Sequence, residues 1–295
     1  MRTPGDWPIE YESMGDPAHP AIVLIMGLGM QLTSWPLAFC QALVDGGYRV
    51  VRFDNRDCGL SARAPAGKLP RVWRAVLASL LRLPLRTPYS LHDMAGDALR
   101  VMDTLQIKRA HIVGASMGGM IAQVLAAQFP QRVLSLTSIM SSSGNRRLPW
   151  PSRQARQALL GRPADPHDVE SVVNHLVQVF GVIGSPAYPE PQNSLRERVR
   201  FGVQRAYDPA GIRRQLLAVI ASGDRRALLR RITTPTLVIH GRVDPLVPLA
   251  AGQDTAANVA GAKLLVIDGM GHDLPRALLP QLSGAILGHC AAAKL

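Results

Sequence analysis

A chain of 295 residues with 47% apolar content, 26 glycines and 23 prolines has the makings of one large domain with room for an insertion, which excludes a fibrous or disordered protein. Its net charge of +12 is carried almost wholly by arginine, with lysine only at positions 68, 108, 263 and 294. No RNA-binding module or zinc finger accompanies that charge, so a solvated basic surface is expected rather than nucleic-acid binding. Cys40, Cys58 and Cys290 are scattered and form no C-x-x-C pair. They suggest a reducing compartment, with neither a disulfide framework nor a metal site. The first residues lack an export signal and the longest apolar stretch, Ala21 to Met30, is too short to span a bilayer. A cytoplasmic protein without an integral membrane segment is expected.

In chain order, Ile9 to Ser13 reads as an opening antiparallel strand and Ala21 to Met26 as a strand buried on both faces. Pro36 to Val44 has helical spacing and stops at Gly46-Gly47, and Tyr48 to Phe53 is again a strand. The stretch Ala64 to Pro88 holds an amphipathic helix, with Trp73, Val76, Leu77 and Leu80 on one face and Arg71, Arg74 and Arg82 on another. Such a helix commonly packs its apolar face on the domain and lines a pocket; a basic amphipathic helix also suits a membrane surface. Ser90 with Asp93 signals a capping box, and Leu91, Met94, Ala98, Val101 and Leu105 then mark one helix face.

Ala110 to Val113 is a short strand, Met117 to Phe129 a helix ended by Pro130, and Val133 to Met140 the next strand. After a long interval the rhythm resumes with a strand at Thr236 to His240 and a helix at Leu249 to Val259. A strand at Lys263 to Ile267 follows, then a helix from about Pro275 towards Cys290. The alternation predicts an α/β fold, a mostly parallel sheet with helices on both faces. The proline-rich interval, with helical fragments at Val169 to Phe180 and Asn193 to Val203, predicts a helical cap over one sheet edge. The expected organisation is a core of 1–144 and 216–295 interrupted by a cap of 145–215.

The chemistry centres on Gly114-Ala115-Ser116-Met117-Gly118, a G-x-S-x-G sequence. Chance alone would place about 0.13 of them in such a chain, so its setting decides. It lies where a strand passes straight into a helix, a turn that strains the serine backbone and needs glycine on either side. A serine hydroxyl needs a base and a group to orient that base. Asp244 follows the strand ending at His240, and His272 follows the strand ending at Ile267. Both sit at the carboxyl ends of strands, where open α/β sheets place their sites. A lone aspartate before proline is usually a turn former and a lone loop histidine a surface residue, but three such residues in this order point to nucleophile, acid and base. Asp268 and Asp273 are rival acids, set aside because they adjoin the histidine. The other histidines, 19, 92, 111, 167, 175, 240 and 289, are read as structural.

An oxyanion needs two donors. The N–H of Met117, just after the serine, and the N–H of Leu28, in the Gly27-Leu28-Gly29 turn, are the candidates. That turn lacks the third glycine and the later acid of a dinucleotide site, and no cofactor or metal is called for. Trp73, Leu77, Trp150, Val179 and Phe180 are candidate pocket lining and equally candidates for insertion core.

Four segments together resemble the α/β-hydrolase superfamily: Leu24 to Gly29, Phe53 to Ser61 with its D-x-R-D-x-G pattern, Gly114 to Gly119, and the Asp244 and His272 loops. The Met-Gly turn, the D-x-R-D-x-G segment and Gly269-Met270-Gly271-His272 look most like the aclacinomycin methylesterase group, which hydrolyses a methyl ester on an aromatic polyketide. The resemblance implies Ser116, Asp244 and His272 as triad, Leu28 and Met117 as oxyanion hole, and a small-molecule ester as substrate. A serine nucleophile sets the chain apart from haloalkane dehalogenases and epoxide hydrolases. A lipase-like enzyme, a C–C bond hydrolase, a perhydrolase or a binding module without turnover would use the same residues.

Overall fold

Seven strands build one sheet in a computed structural model that describes residues 1–5, 7–65 and 67–293. Position 66 of the Ala64 to Pro88 stretch and Lys294 lie outside the described residues. The strands are β1 (Tyr11–Met14), β2 (Ala21–Ile25), β3 (Arg49–Phe53), β4 (Ala110–Ala115), β5 (Val133–Ile139), β6 (Thr236–Gly241) and β7 (Lys263–Ile267). Their spatial order is β1-β3-β2-β4-β5-β6-β7. β1 runs antiparallel to β3 and the other pairs are parallel. β2 to β6 are buried along their whole length, which is why β2 reads as a continuous apolar run. β7 closes the sheet and starts on the exposed Lys263, a charge that blunts an unpaired edge.

The helices of the sheet are α1 (Leu37–Asp45), α3 (Leu91–Thr104), α4 (Met117–Gln128), α9 (Arg226–Leu229), α10 (Leu249–Ala257) and α11 (Leu279–Ala292). Side chains of a strand alternate between faces. Val23 and Ile25 therefore join the core under α3 and α4, with Met94, Val101, Ile121 and Leu125. Ile22 and Leu24 join the opposite core under α1 and α11, with Phe39, Leu43, Leu282 and Ile286. The capping box of α3 is formed: Ser90 accepts from the Asp93 N–H, and the Asp93 carboxylate accepts from the Ser90 N–H at 2.8 Å. A 3-10 turn, Arg276–Leu278, precedes α11, so the last helix begins later than Pro275.

Between β5 and β6 come α5 (Arg153–Leu160), α6 (Val169–Ile183), α7 (Gln192–Arg205) and α8 (Pro209–Ser222). α6 and α7 share a small core of Val172, Val173, Leu195, Val199 and Val203, and α5 meets α6 through Ala155, Val179 and Ile183. The Asp208 carboxylate accepts from the Gly211 N–H at 2.9 Å and starts α8, which runs through position 215 without a break.

The helix predicted within residues 64–88 is α2 (Val72–Leu80), and its orientation reverses the expected packing. It rests on α8 through the wholly buried Ala75, while Trp73, Leu77 and Leu80 are 57%, 48% and 48% exposed. Small side chains let two helices approach closely, so the alanine face turns inward and the bulky stripe is left outside.

Candidate active site

Ser116 sits between the end of β4 and the first turn of α4 with φ 53° and ψ −118°, a strained conformation for a residue with a side chain. Its N–H donates to the Ile139 carbonyl at 2.9 Å and its own carbonyl accepts from Ser141 Oγ at 2.7 Å. Glycine is obligatory around it. A Cβ on Gly118 would lie 1.9 Å from the Ile25 carbonyl oxygen, and one on Gly114 would lie 2.2 Å from the Gly118 oxygen.

The three predicted residues meet. Ser116 Oγ is 3.0 Å from His272 Nε2, and His272 Nδ1 is 2.7 Å from Asp244 Oδ2. Asp244 Oδ1 accepts from the Leu246 and Val247 N–H groups at 2.9 and 2.8 Å, which fixes the carboxylate. With Nδ1–H donating to Asp244, Nε2 is free to accept from the serine hydroxyl. His240 lies nearby, wholly buried, with Nε2 3.7 Å from Asp244 Oδ2 but donating to the Val247 carbonyl at 2.7 Å. Burial lowers its pKa, and with its Nε2–H turned to Val247 it leaves Asp244 Oδ2 to His272.

The loops carrying Asp244 and His272 are held by the inserted helices. The Ser152 N–H, one residue before α5, donates to the Pro245 carbonyl at 2.8 Å. At the end of α6 the Ile183 carbonyl accepts from the His272 N–H at 2.7 Å. Ser185 Oγ accepts from the Gly271 N–H at 2.8 Å and donates to the Asp273 carboxylate. Burial raises the pKa of Asp273 despite that bond. A Cβ on Gly271 would lie 2.3 Å from the Gly184 carbonyl, so the loop and the helix end touch backbone to backbone.

Leu28 and Met117 flank the serine. Gly27 is close enough that a Cβ there would be 3.2 Å from Ser116 Cβ, and Met117 opens α4, where the first N–H groups have no intrahelical acceptor. Among the described residues neither the Leu28 nor the Met117 N–H donates to a protein acceptor. The next N–H, of Gly29, donates to Gln215 Oε1 at 2.8 Å, and Gln215 Nε2 donates to the Arg56 carbonyl at 2.7 Å. Gln215, wholly buried on α8, thus pins the turn that presents Leu28.

The D-x-R-D-x-G segment is structural in its contacts. Asp54 accepts from the Leu32 and Leu60 N–H groups at 2.7 and 2.8 Å and from Arg205 of α7 at 2.8 Å. Asp57 accepts from Nε and Nη2 of Arg214, each at 2.8 Å; burial alone would raise this carboxyl, but those bonds hold it below its usual range. Gly59 is required because a Cβ would lie 2.0 Å from Asp54 Oδ2.

The five pocket candidates are placed otherwise than as an enclosed lining. Trp73 and Leu77 face outward on α2, and Trp150 is 58% exposed ahead of α5. Val179 is buried with Ala155 and Ile183, and the partly buried Phe180 packs against that cluster and the α6–α7 core. Val179 and Phe180 are therefore part of the insertion's own core, because an isolated helical layer must bury apolar side chains between its helices. The sequence analysis missed Ser185, a lone polar residue after a helix, and Gln215. For Gln215 a signal existed: it follows Arg214 on the side of α8 that also buries Gly211 and Ala218.

Among the described residues no three His, Cys, Asp or Glu side chains are grouped to hold a metal, and no helix is long and apolar enough to cross a membrane. A serine on a strained strand-to-helix turn, backed by histidine and aspartate from later strand ends, defines the α/β-hydrolase class. Residues 20–181 match the alpha/beta hydrolase fold family, and residues 220–277 match a TAP-like protein family. The chain belongs to the alpha/beta-hydrolase family. It is 30% identical to rhodomycin D methylesterase DnrP of Streptomyces peucetius, over 96% of this chain and 94% of that protein. It is 31% identical to rhodomycin D methylesterase DauP of Streptomyces sp. strain C5, with the same coverage. The crystal structure of an enol-lactonase from Burkholderia xenovorans LB400 has the same fold, with a TM-score of 0.73 at 24% identity over 97% of each chain.

Proposed function

We propose that the chain is a cytoplasmic serine hydrolase that cleaves a carboxylic ester, of the methyl-ester kind, on a hydrophobic small molecule. The observation that carries this is the relay from Ser116 Oγ through His272 to Asp244, at 3.0 and 2.7 Å. Ser116 Oγ attacks the ester carbonyl carbon while His272 Nε2 takes its proton, and Asp244 stabilises the imidazolium. The negative charge that develops on the carbonyl oxygen is met by the Leu28 and Met117 N–H groups. Collapse expels the alcohol with the proton from His272 and leaves an acyl-serine. Water then enters, gives its proton to His272, and releases the acid and the serine. The relatives named above support a methyl ester, and the helices of 145–215 serve as a cap whose ends brace the Asp244 and His272 loops.

The test is hydrolysis of a p-nitrophenyl ester series and of aromatic methyl esters by wild type and Ser116→Ala, with a vinylogous diketone as the C–C substrate. Ester turnover that vanishes in the variant is expected. Faster cleavage of the diketone than of every ester would overturn the ester assignment, and ester turnover that survives in Ser116→Ala would overturn the nucleophile.

A further inference from the structure

α2 and the turn behind it carry a face that the site does not use. Trp73, Leu77 and Leu80 on the helix and Leu81 at its C-cap are spaced i, i+4, i+7 and i+8, which places them in one stripe. All four are exposed, and so is Leu83 beyond the helix end. The Leu83 N–H donates to the Ala78 carbonyl at 2.8 Å and the Arg82 N–H to the Ser79 carbonyl at 3.2 Å, with Arg82 at φ 58°. This Schellman turn fixes where Leu81 and Leu83 stand. Four large apolar side chains in one exposed stripe, with Leu83 exposed beyond the helix end, are uncommon on a monomer and mark an interaction surface.

The charge around the stripe identifies what it meets. Arg71, Arg74, Arg82 and Arg86 are exposed, and none is in an ion pair among the described residues. The Arg74 guanidinium lies 5.2 Å from the centre of the Trp73 ring. From Cys58 to His92 the sequence contains no acidic residue. A second copy of the chain would set these arginines against one another, whereas a surface that is anionic outside and apolar beneath satisfies both sets of side chains. We propose that α2 and residues 81–86 dock the protein on an anionic lipid surface. The tryptophan and leucines enter the headgroup boundary, and the arginines meet lipid phosphates.

The experiment is co-sedimentation of the full chain with phosphatidylcholine vesicles, with and without phosphatidylglycerol. Wild type should bind the anionic vesicles at least about tenfold more tightly than the neutral ones, and added salt should weaken that binding. The double variant Leu80→Ser/Leu81→Ser should lose about tenfold or more of it, with a melting curve that matches wild type. Trp fluorescence should shift to the blue on the anionic vesicles, and Trp73→Phe should remove the shift. No binding to anionic vesicles, or undiminished binding by the folded serine variant, overturns the proposal. So does a dimer in solution that the serine variant dissolves, since the face would then belong to a second copy.

Discussion

Asp244 has one oxygen engaged by two backbone N–H groups and the other by His272, so its role is separable from its geometry. Asp244→Asn keeps the shape but offers an amide where His272 needs an acceptor. Ester turnover should fall by about 10⁴, the scale of the serine-protease precedent; a nearly unchanged rate would place the orienting acid elsewhere. At Gly118 the reason is purely steric. Gly118→Ala forces a methyl against the Ile25 carbonyl, 1.9 Å away, and α4 has no slack against β2. We expect a loss of about 3 kcal/mol in denaturant unfolding, with turnover lost in step as the Ser116 turn shifts. The G-x-S-x-G glycines were legible from the sequence because strand-to-helix turns impose a local clash that any chain must solve in the same way.

At the scale of elements, the ends of α5 and α6 hold the two loops that carry Asp244 and His272. Ser185 is the clearest probe, since it bonds both neighbours of His272, Gly271 and Asp273. Ser185→Ala leaves the buried Gly271 N–H unpaired, at a cost of about 1–3 kcal/mol. If that freedom falls on the His272 loop, kcat should drop about tenfold with KM unchanged. A wild-type kcat in a variant of lowered melting temperature would show the bridge to be structural alone. The strands and the α3 cap were readable because short buried apolar runs and capping boxes are local patterns. The way α2 faces was not: its wheel shows an apolar stripe, but which side meets α8 depends on how closely the two helices can approach. Ala75 settled that against Trp73 and Leu77.

For the whole molecule, buried histidines tie stability to pH. His111 lies between β5 and the Tyr48 ring, bonded to Ser135 Oγ at 2.8 Å, and burial lowers its pKa from 6.5 to about 4. Burial lowers His240 and His289 in the same direction. A folded-state pKa below the unfolded value means that the unfolded chain takes up the proton first. Stability is therefore complete above pH 6.5 and falls as the pH drops towards 4, by about 3 kcal/mol for His111 alone. Burial of Asp97 and Asp273 raises those carboxyls and partly opposes the loss. Melting temperatures measured from pH 7.5 to 4.5 should decline, and His111→Gln should flatten the decline; an unchanged slope would remove His111 from the account.

The sequence by itself determined the alternating α/β order, the mostly parallel sheet and the strand ends at which Ser116, Asp244 and His272 stand. Each depends on patterns a few residues long: alternation, helix periodicity, glycine-flanked turns and strand ends. Tertiary structure alone decided that Gln215 would pin the Gly27–Gly29 turn, that Ser185 would brace His272, that Val179 and Phe180 would fill the insertion core, and that the stripe of α2 would face outward. Those outcomes join residues far apart in the chain, 186 positions in the case of Gly29 and Gln215. Closing such distances is settled by which surfaces fit, and no local pattern records that fit.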